Sequence, residues 1–155
     1  MTATRRKPRT TRKHRIVRTK GQRIAWTNTS HIPDDQIVEA IRFVAAHADL
    51  DGVVVHCKHA GDYRRTYGRA YNGIPSIANL DGLDLADDDW QYLIVFTDQG
   101  HNHMRARTIN TLAHEAKHVE QYRRRARPSE PPCQAFGAWV AERWEGVGQL
   151  PLTPA

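Results

Sequence analysis

Trp90-Gln91-Tyr92-Leu93-Ile94-Val95-Phe96-Thr97 is followed, after a short polar stretch, by Thr108 to Arg125, which contains His114-Glu115-Ala116-Lys117-His118. The first segment is aromatic and β-branched, which suits a buried strand. The second has Leu112, Ala116 and Val119 at helical spacing, an apolar stripe that leaves the histidines on a neighbouring face. A strand feeding a helix in this way suits a site on the helix, since the strand edge can hold an extended peptide beside it, and the helix carries the most informative residues. His114 and His118 are four apart, so 3.6 residues per turn stacks them on one face. Two imidazole nitrogens so placed can reach one zinc ion at about 2.0–2.1 Å each. Glu115 lies about 100° round the helix, where a carboxylate can hold a water beside the ion without ligating it. Such a water, with its pKa lowered towards 7, is an attacking group for peptide hydrolysis.

A catalytic zinc needs a third protein ligand and one open position. Two downstream glutamates are candidates. Glu130 stands twelve residues past His118, in Pro128-Ser129-Glu130-Pro131-Pro132-Cys133-Gln134-Ala135-Phe136, and Glu142 lies twelve residues further along the last helix. If the two helices form a tight hairpin turning near Arg127, counting a rise of about 1.5 Å per residue puts Glu142 level with the histidines. Spacing alone therefore favours Glu142. Either glutamate has an ordinary alternative as a surface carboxylate, and Glu130 a specific one, complementing a helix N-terminus.

Thr111 to Trp144 resembles zinc metallopeptidases of the zincin tribe, in the glutamate-ligand (gluzincin-like) branch. Small members of that branch follow His-Glu-x-x-His with a helix opening Glu-x-x-Ala/Cys-x-x-Phe/Tyr, whose glutamate binds the metal. Glu130-Pro131-Pro132-Cys133-Gln134-Ala135-Phe136 matches that pattern. The resemblance implies His114, His118 and Glu130 as ligands of Zn2+, Glu115 as general base, and a protein or peptide substrate. Two departures limit it. The DNA-associated SprT-like metalloproteases carry a third histidine four residues after the second, where this chain has Tyr122. The glycine and third histidine of metzincins are absent as well.

Outward from this segment, 155 residues is the length of one domain with room for a core. No apolar run approaches the ~18 residues of a membrane span, and no secretory signal pattern is present. Cys57 and Cys133 do not make a disulfide framework, so a reducing cytoplasm is the simplest expectation. Charge is uneven. Met1 to Arg23 holds ten Lys/Arg and no acid, while the remainder holds thirteen basic and seventeen acidic residues. The first 23 residues therefore read as a disordered basic tail suited to nucleic acid or another polyanion. A non-enzymatic nucleic-acid-binding protein acting through that arm, or a zinc fold with a purely structural metal, are the alternative functions. Residues 24–148 form the expected metallopeptidase domain and 149–155 a C-terminal tail.

Within the domain, Arg23 to Asn28 reads as a short strand and Asp34 to Ala48 as a helix with Ile37, Val38, Ile41, Val44 and Ala45 at helical spacing. Gly52 to His59 reads as a strand, Arg64 to Asn72 as a loop or hairpin arm, Ile74 to Leu80 as a strand, and Asp81 to Asp89 as an acidic turn. Two helices close the chain before a Gly/Pro-rich end from Gly146. The expectation is an α+β domain: a small mixed or antiparallel sheet with an N-terminal helix, the His-Glu-x-x-His helix and a C-terminal helix. Phe136, Trp139, Val140 and Trp144 share a helical stripe that should be core. His56 and His59 fall on opposite faces of a strand, which argues against a second metal there. His101 and His103 read as surface-loop residues. Tyr63, Tyr67, Tyr71 and Tyr122 are candidate oxyanion donors, Tyr122 only if its helix turns it towards the metal.

Overall fold

The computed structural model describes residues 15–62, 67–74 and 90–149. Five strands and three α-helices are arranged as an α+β domain: β1 (Arg15–Thr19), β2 (Gln22–Asn28), α1 (Asp34–Ala45), β3 (Val53–Lys58), β4 (Gly68–Tyr71), β5 (Tyr92–Thr97), α2 (Ala106–Arg123) and α3 (Glu130–Gln149). The strands form one mixed sheet in the order β1-β2-β3-β5-β4. β2, β3 and β5 run parallel; β1 and β4 are antiparallel edges.

The pleat explains why the central strands are so apolar. Ile24, Trp26, Val53, Val55, Cys57, Ile94 and Phe96 join the core beneath the helices, whereas the alternate residues Ala25, Val54, Leu93 and Val95 are buried with Trp90 in a second cluster. Successive side chains point to opposite faces, so a strand buried on both reads as a continuous apolar run. Ile37, Ala40, Ile41, Val44 and Ala45 seat α1 in the main core, and Ile109, Leu112, Ala113, Ala116 and Val119 seat α2. α3 lies along α2. Gly137 is a point of close approach, since a Cβ there would stand 2.4 Å from Asn110 Oδ1 and 2.7 Å from the Asn110 carbonyl oxygen.

Several expectations are corrected. The basic tail does not extend to Arg23: residues 15–19 are a strand, with Ile16 exposed and Val17 buried between arginines that hid the strand in a run of basic charge. Val17 is buried, and Lys20 (φ 50°) and Gly21 (φ 79°) make the tight turn into β2. Two consecutive left-handed residues are what a two-residue hairpin matched to strand twist requires. Residues 1–14 lie outside the described residues. β5 is interior, paired on both sides, so the edge beside α2 belongs to β4, in the segment read as a loop or arm. Ile74 lies outside any strand, and residues 75–89, which cover the rest of the expected strand and the acidic turn, lie outside the described residues. α3 continues past Gly146 to Gln149, and residues 150–155 are not described. On the aromatic stripe of α3, Val140 is buried, but Trp139 is 41% exposed, with the Arg143 guanidinium over its ring. Among the described residues no helix is long and apolar enough to cross a membrane.

Candidate metal centre

α2 places His114, Glu115, His118 and Tyr122 along the side of the helix that faces β4 and the start of α3. His118 and Glu115 are buried; His114 is half-buried. Where α3 begins is written in the sequence: Pro131 and Pro132 lack N–H groups and fit only a first helical turn, where none is needed. Glu130 therefore opens α3, its charge favoured by the helix N-terminus.

The path between the helices decides the third candidate ligand. α2 ends at Arg123, Arg125 adopts a left-handed φ of 57°, and the following residues fold back along the helix. Ser129 is held against α2 by two bonds to the Gln121 side-chain amide, donating to Oε1 at 3.1 Å and accepting from Nε2 at 3.0 Å. Glu130 is thereby level with the histidines: its Oε1 is 2.8 Å from His114 Nε2 and its Oε2 3.2 Å from His118 Nε2. Glu142 is an exposed residue 3.9 Å from Arg143 and takes no part. The hairpin count favoured Glu142 because it assumed helix up to Arg127; six non-helical residues absorb the difference.

The two imidazole nitrogens stand 2.8 and 3.2 Å from the Glu130 carboxylate oxygens, and the three groups offer donor atoms within 4.8 Å of one another, an arrangement that could hold a small cation. Tetrahedral bonds of about 2.0–2.1 Å would place ligand atoms about 3.3 Å apart, close to the two histidine–carboxylate distances. Outside the ligand set, His118 Nδ1 is 3.0 Å from Gln121 Oε1 and 3.4 Å from Cys133 Sγ. Burial, with the charges of Glu130 and Glu115, pushes the Cys133 thiol up to about 11, leaving it neutral.

Glu115 is pressed against β4. A Cβ on Gly68 would come 2.6 Å from Thr111 Cγ2 and 3.2 Å from Glu115 Cγ, so only glycine lets the strand approach this closely. Burial raises the Glu115 carboxyl to about 7; Glu130 adds to the rise, while His118, the Ala70 backbone amide and Arg69 oppose it. β4 pairs with β5 on one side only. The Thr97 amide donates to the Tyr67 carbonyl, so by antiparallel alternation the Gly68 and Ala70 backbone groups face outward. The Ala70 carbonyl accepts from the Tyr122 hydroxyl at 3.3 Å, and the Tyr122 ring stacks against Tyr92. An open cleft results, lined by Gly68, Arg69, Ala70, Glu115, His118, Tyr122, Pro128 and Glu130.

His31, His59 and Asp98 form a second group whose donor atoms lie within 4.8 Å of one another. Its geometry is that of a structural hub. Asp98 Oδ1 accepts from the Ala60 and Gly100 amides and Oδ2 from the His31 amide, with His59 Nδ1 3.0 Å from Oδ2. The two imidazoles stack face to face at 3.9 Å and 22°, so their in-plane lone pairs do not converge. Burial alone would raise the Asp98 carboxyl; the hydrogen bonds outweigh it and hold it at about 2. His56 is fully buried in β3 beside Thr27. His101 and His103 sit on the loop before α2, Tyr67 is exposed, and Tyr71 packs on the far cluster. Tyr63 lies outside the described residues. Sequence reading passed over Gln121 and β4, because an amide in a polar helix and a four-residue strand amid Arg, Tyr and Gly carry no distinctive signal.

Comparison with models of protein families, with characterised proteins and with solved structures finds no match to this chain.

Proposed function

We propose that the cleft is the active site of a zinc-dependent peptidase. The observation that carries this reading is the meeting of the His114 and His118 Nε2 atoms with the Glu130 carboxylate, at 2.8 and 3.2 Å, beside a buried Glu115. Two imidazoles and a carboxylate would hold the ion and leave a position open. When bound, zinc supplies a water of lowered pKa and polarises a carbonyl.

The chain's own groups do the rest. Glu115 takes a proton from the attacking water and returns it to the leaving amine; burial raises its carboxyl, which favours its holding the proton between the two transfers. Gly68 turns its backbone outward on the β4 edge, where an extended peptide can pair, while the Ala70 amide and carbonyl are already held by Glu115 and Tyr122. Tyr122, whose hydroxyl already reaches the Ala70 carbonyl, stands where it can bond a substrate oxygen. The test is Glu115→Gln in the full chain. It should keep zinc and lose hydrolysis of a mixed peptide library. An active variant removes Glu115 from the mechanism, and an inactive wild type with bound zinc makes the metal structural.

A further inference from the structure

Gln121 joins the two halves of the metal centre, and the chemistry of its amide determines more than a contact. Its Nε2 donates to the Ser129 carbonyl and its Oε1 accepts from the Ser129 amide, at 3.0 and 3.1 Å. These bonds fix which end of the side chain is which, because only the –NH2 can donate to a carbonyl and only the oxygen can accept from an N–H. The same Oε1 lies 3.0 Å from His118 Nδ1. A carbonyl oxygen has no proton to give, so Nδ1 carries it. In the neutral imidazole, Nε2 is then a bare lone pair. Across from it, 3.2 Å away, is Glu130 Oε2, another acceptor. Two acceptors at that distance repel unless a proton or a metal cation lies between them. Cys133 Sγ, 3.4 Å from the same Nδ1, is a weak second acceptor for its proton.

We propose that Gln121 is the positioning residue of this centre: one amide selects the His118 tautomer whose Nε2 can ligate a metal, and fixes the Ser129–Glu130 turn so that the carboxylate meets it. The inference rests on the metal-centre reading above and adds to it the device that builds the site. Metal-bound histidines commonly give their other N–H to an oriented acceptor, and losing that acceptor weakens the metal about 10–100-fold. Here the acceptor also sets the position of a ligand on the next helix.

The experiment uses the full chain and zinc itself. Zinc affinity is measured by competition with a chromophoric chelator, and the His118 tautomer by long-range 1H–15N NMR of the metal-free protein. Wild type should bind one zinc and show His118 protonated on Nδ1. Gln121→Leu should weaken zinc about 10–100-fold and lose the Nδ1–H tautomer. Gln121→Glu keeps both acceptor roles but sets a carboxylate oxygen against the Ser129 carbonyl; it should restore the tautomer, with zinc affinity still below wild type because the turn is no longer tied. It also provides the readout if the leucine variant does not fold. Wild-type affinity and tautomer in Gln121→Leu would overturn the inference while leaving the metal centre standing, as would a Gln121→Glu variant without the Nδ1–H tautomer. A wild type that binds no zinc would overturn both.

Discussion

Glu115→Gln should make the metal-free protein more stable at neutral pH than the wild type. The carboxyl is only 8% exposed, and burial raises it from 4.5 to about 7. Its folded-state value thus lies above its unfolded one. Below 4.5 both states hold the proton and the group has no effect. As pH climbs from 4.5 to 7, the unfolded chain releases the proton while the folded chain keeps it, so stability falls. Above 7 both are ionised and the loss is complete. At about 1.4 kcal/mol per pH unit, the displacement amounts to about 3 kcal/mol. Glutamine has the same shape, stays neutral and still accepts from the Ala70 amide, so it escapes the penalty. Urea unfolding in the presence of a chelator, at pH 5 and pH 8, is the assay. The variant should exceed wild type by about 3 kcal/mol at pH 8 and by less than about 1 kcal/mol at pH 5. An equal difference at both pH values would refute the claim that a buried carboxyl is kept at a stability cost for its chemistry.

Two other predictions follow from the surroundings of the site. Asp98 is depressed to about 2, so its contribution of about 2 kcal/mol is present above 3.8 and lost as pH falls through 2; Asp98→Asn should cost about 2 kcal/mol at pH 7 in urea unfolding and remove that acid-side dependence. Unchanged stability would mean the hub ties nothing together. Gly137→Ala drives a methyl into Asn110 and should cost about 1–3 kcal/mol by thermal melting, while weakening zinc because α3 carries Glu130 away from the histidines. A variant with wild-type melting and zinc affinity would show that the helix contact is slack.

What was legible from the sequence followed from strong periodic signals. α1 and α2 announced themselves through residues such as Ile37, Ile41, Leu112 and Ala116, and β5 through an unbroken apolar run. β1 was missed because its two apolar residues, Ile16 and Val17, lie between Arg15 and Arg18 in a basic run and show no period-two alternation. β4 was missed because four residues including a glycine carry no period; it exists because it pairs with β5 and presses on α2. His114, Glu115 and His118 could be read directly, since their geometry is local to one helix. The choice of Glu130 over Glu142 could not be made by counting rise. It depends on where α2 stops and on Gln121 holding Ser129, and the short-range pattern opening at Glu130 pointed to it where helix length pointed away. The Asp98 hub joins loops after three different strands, and such long-range convergence leaves no trace in residue spacing.

The most direct test is zinc per chain by elemental analysis of the purified protein, repeated on His118→Ala, Glu130→Ala and Glu142→Ala. One zinc in wild type and in Glu142→Ala, lost from His118→Ala and Glu130→Ala, is the predicted result. No zinc in reconstituted wild type, or full zinc in Glu130→Ala, would contradict the site.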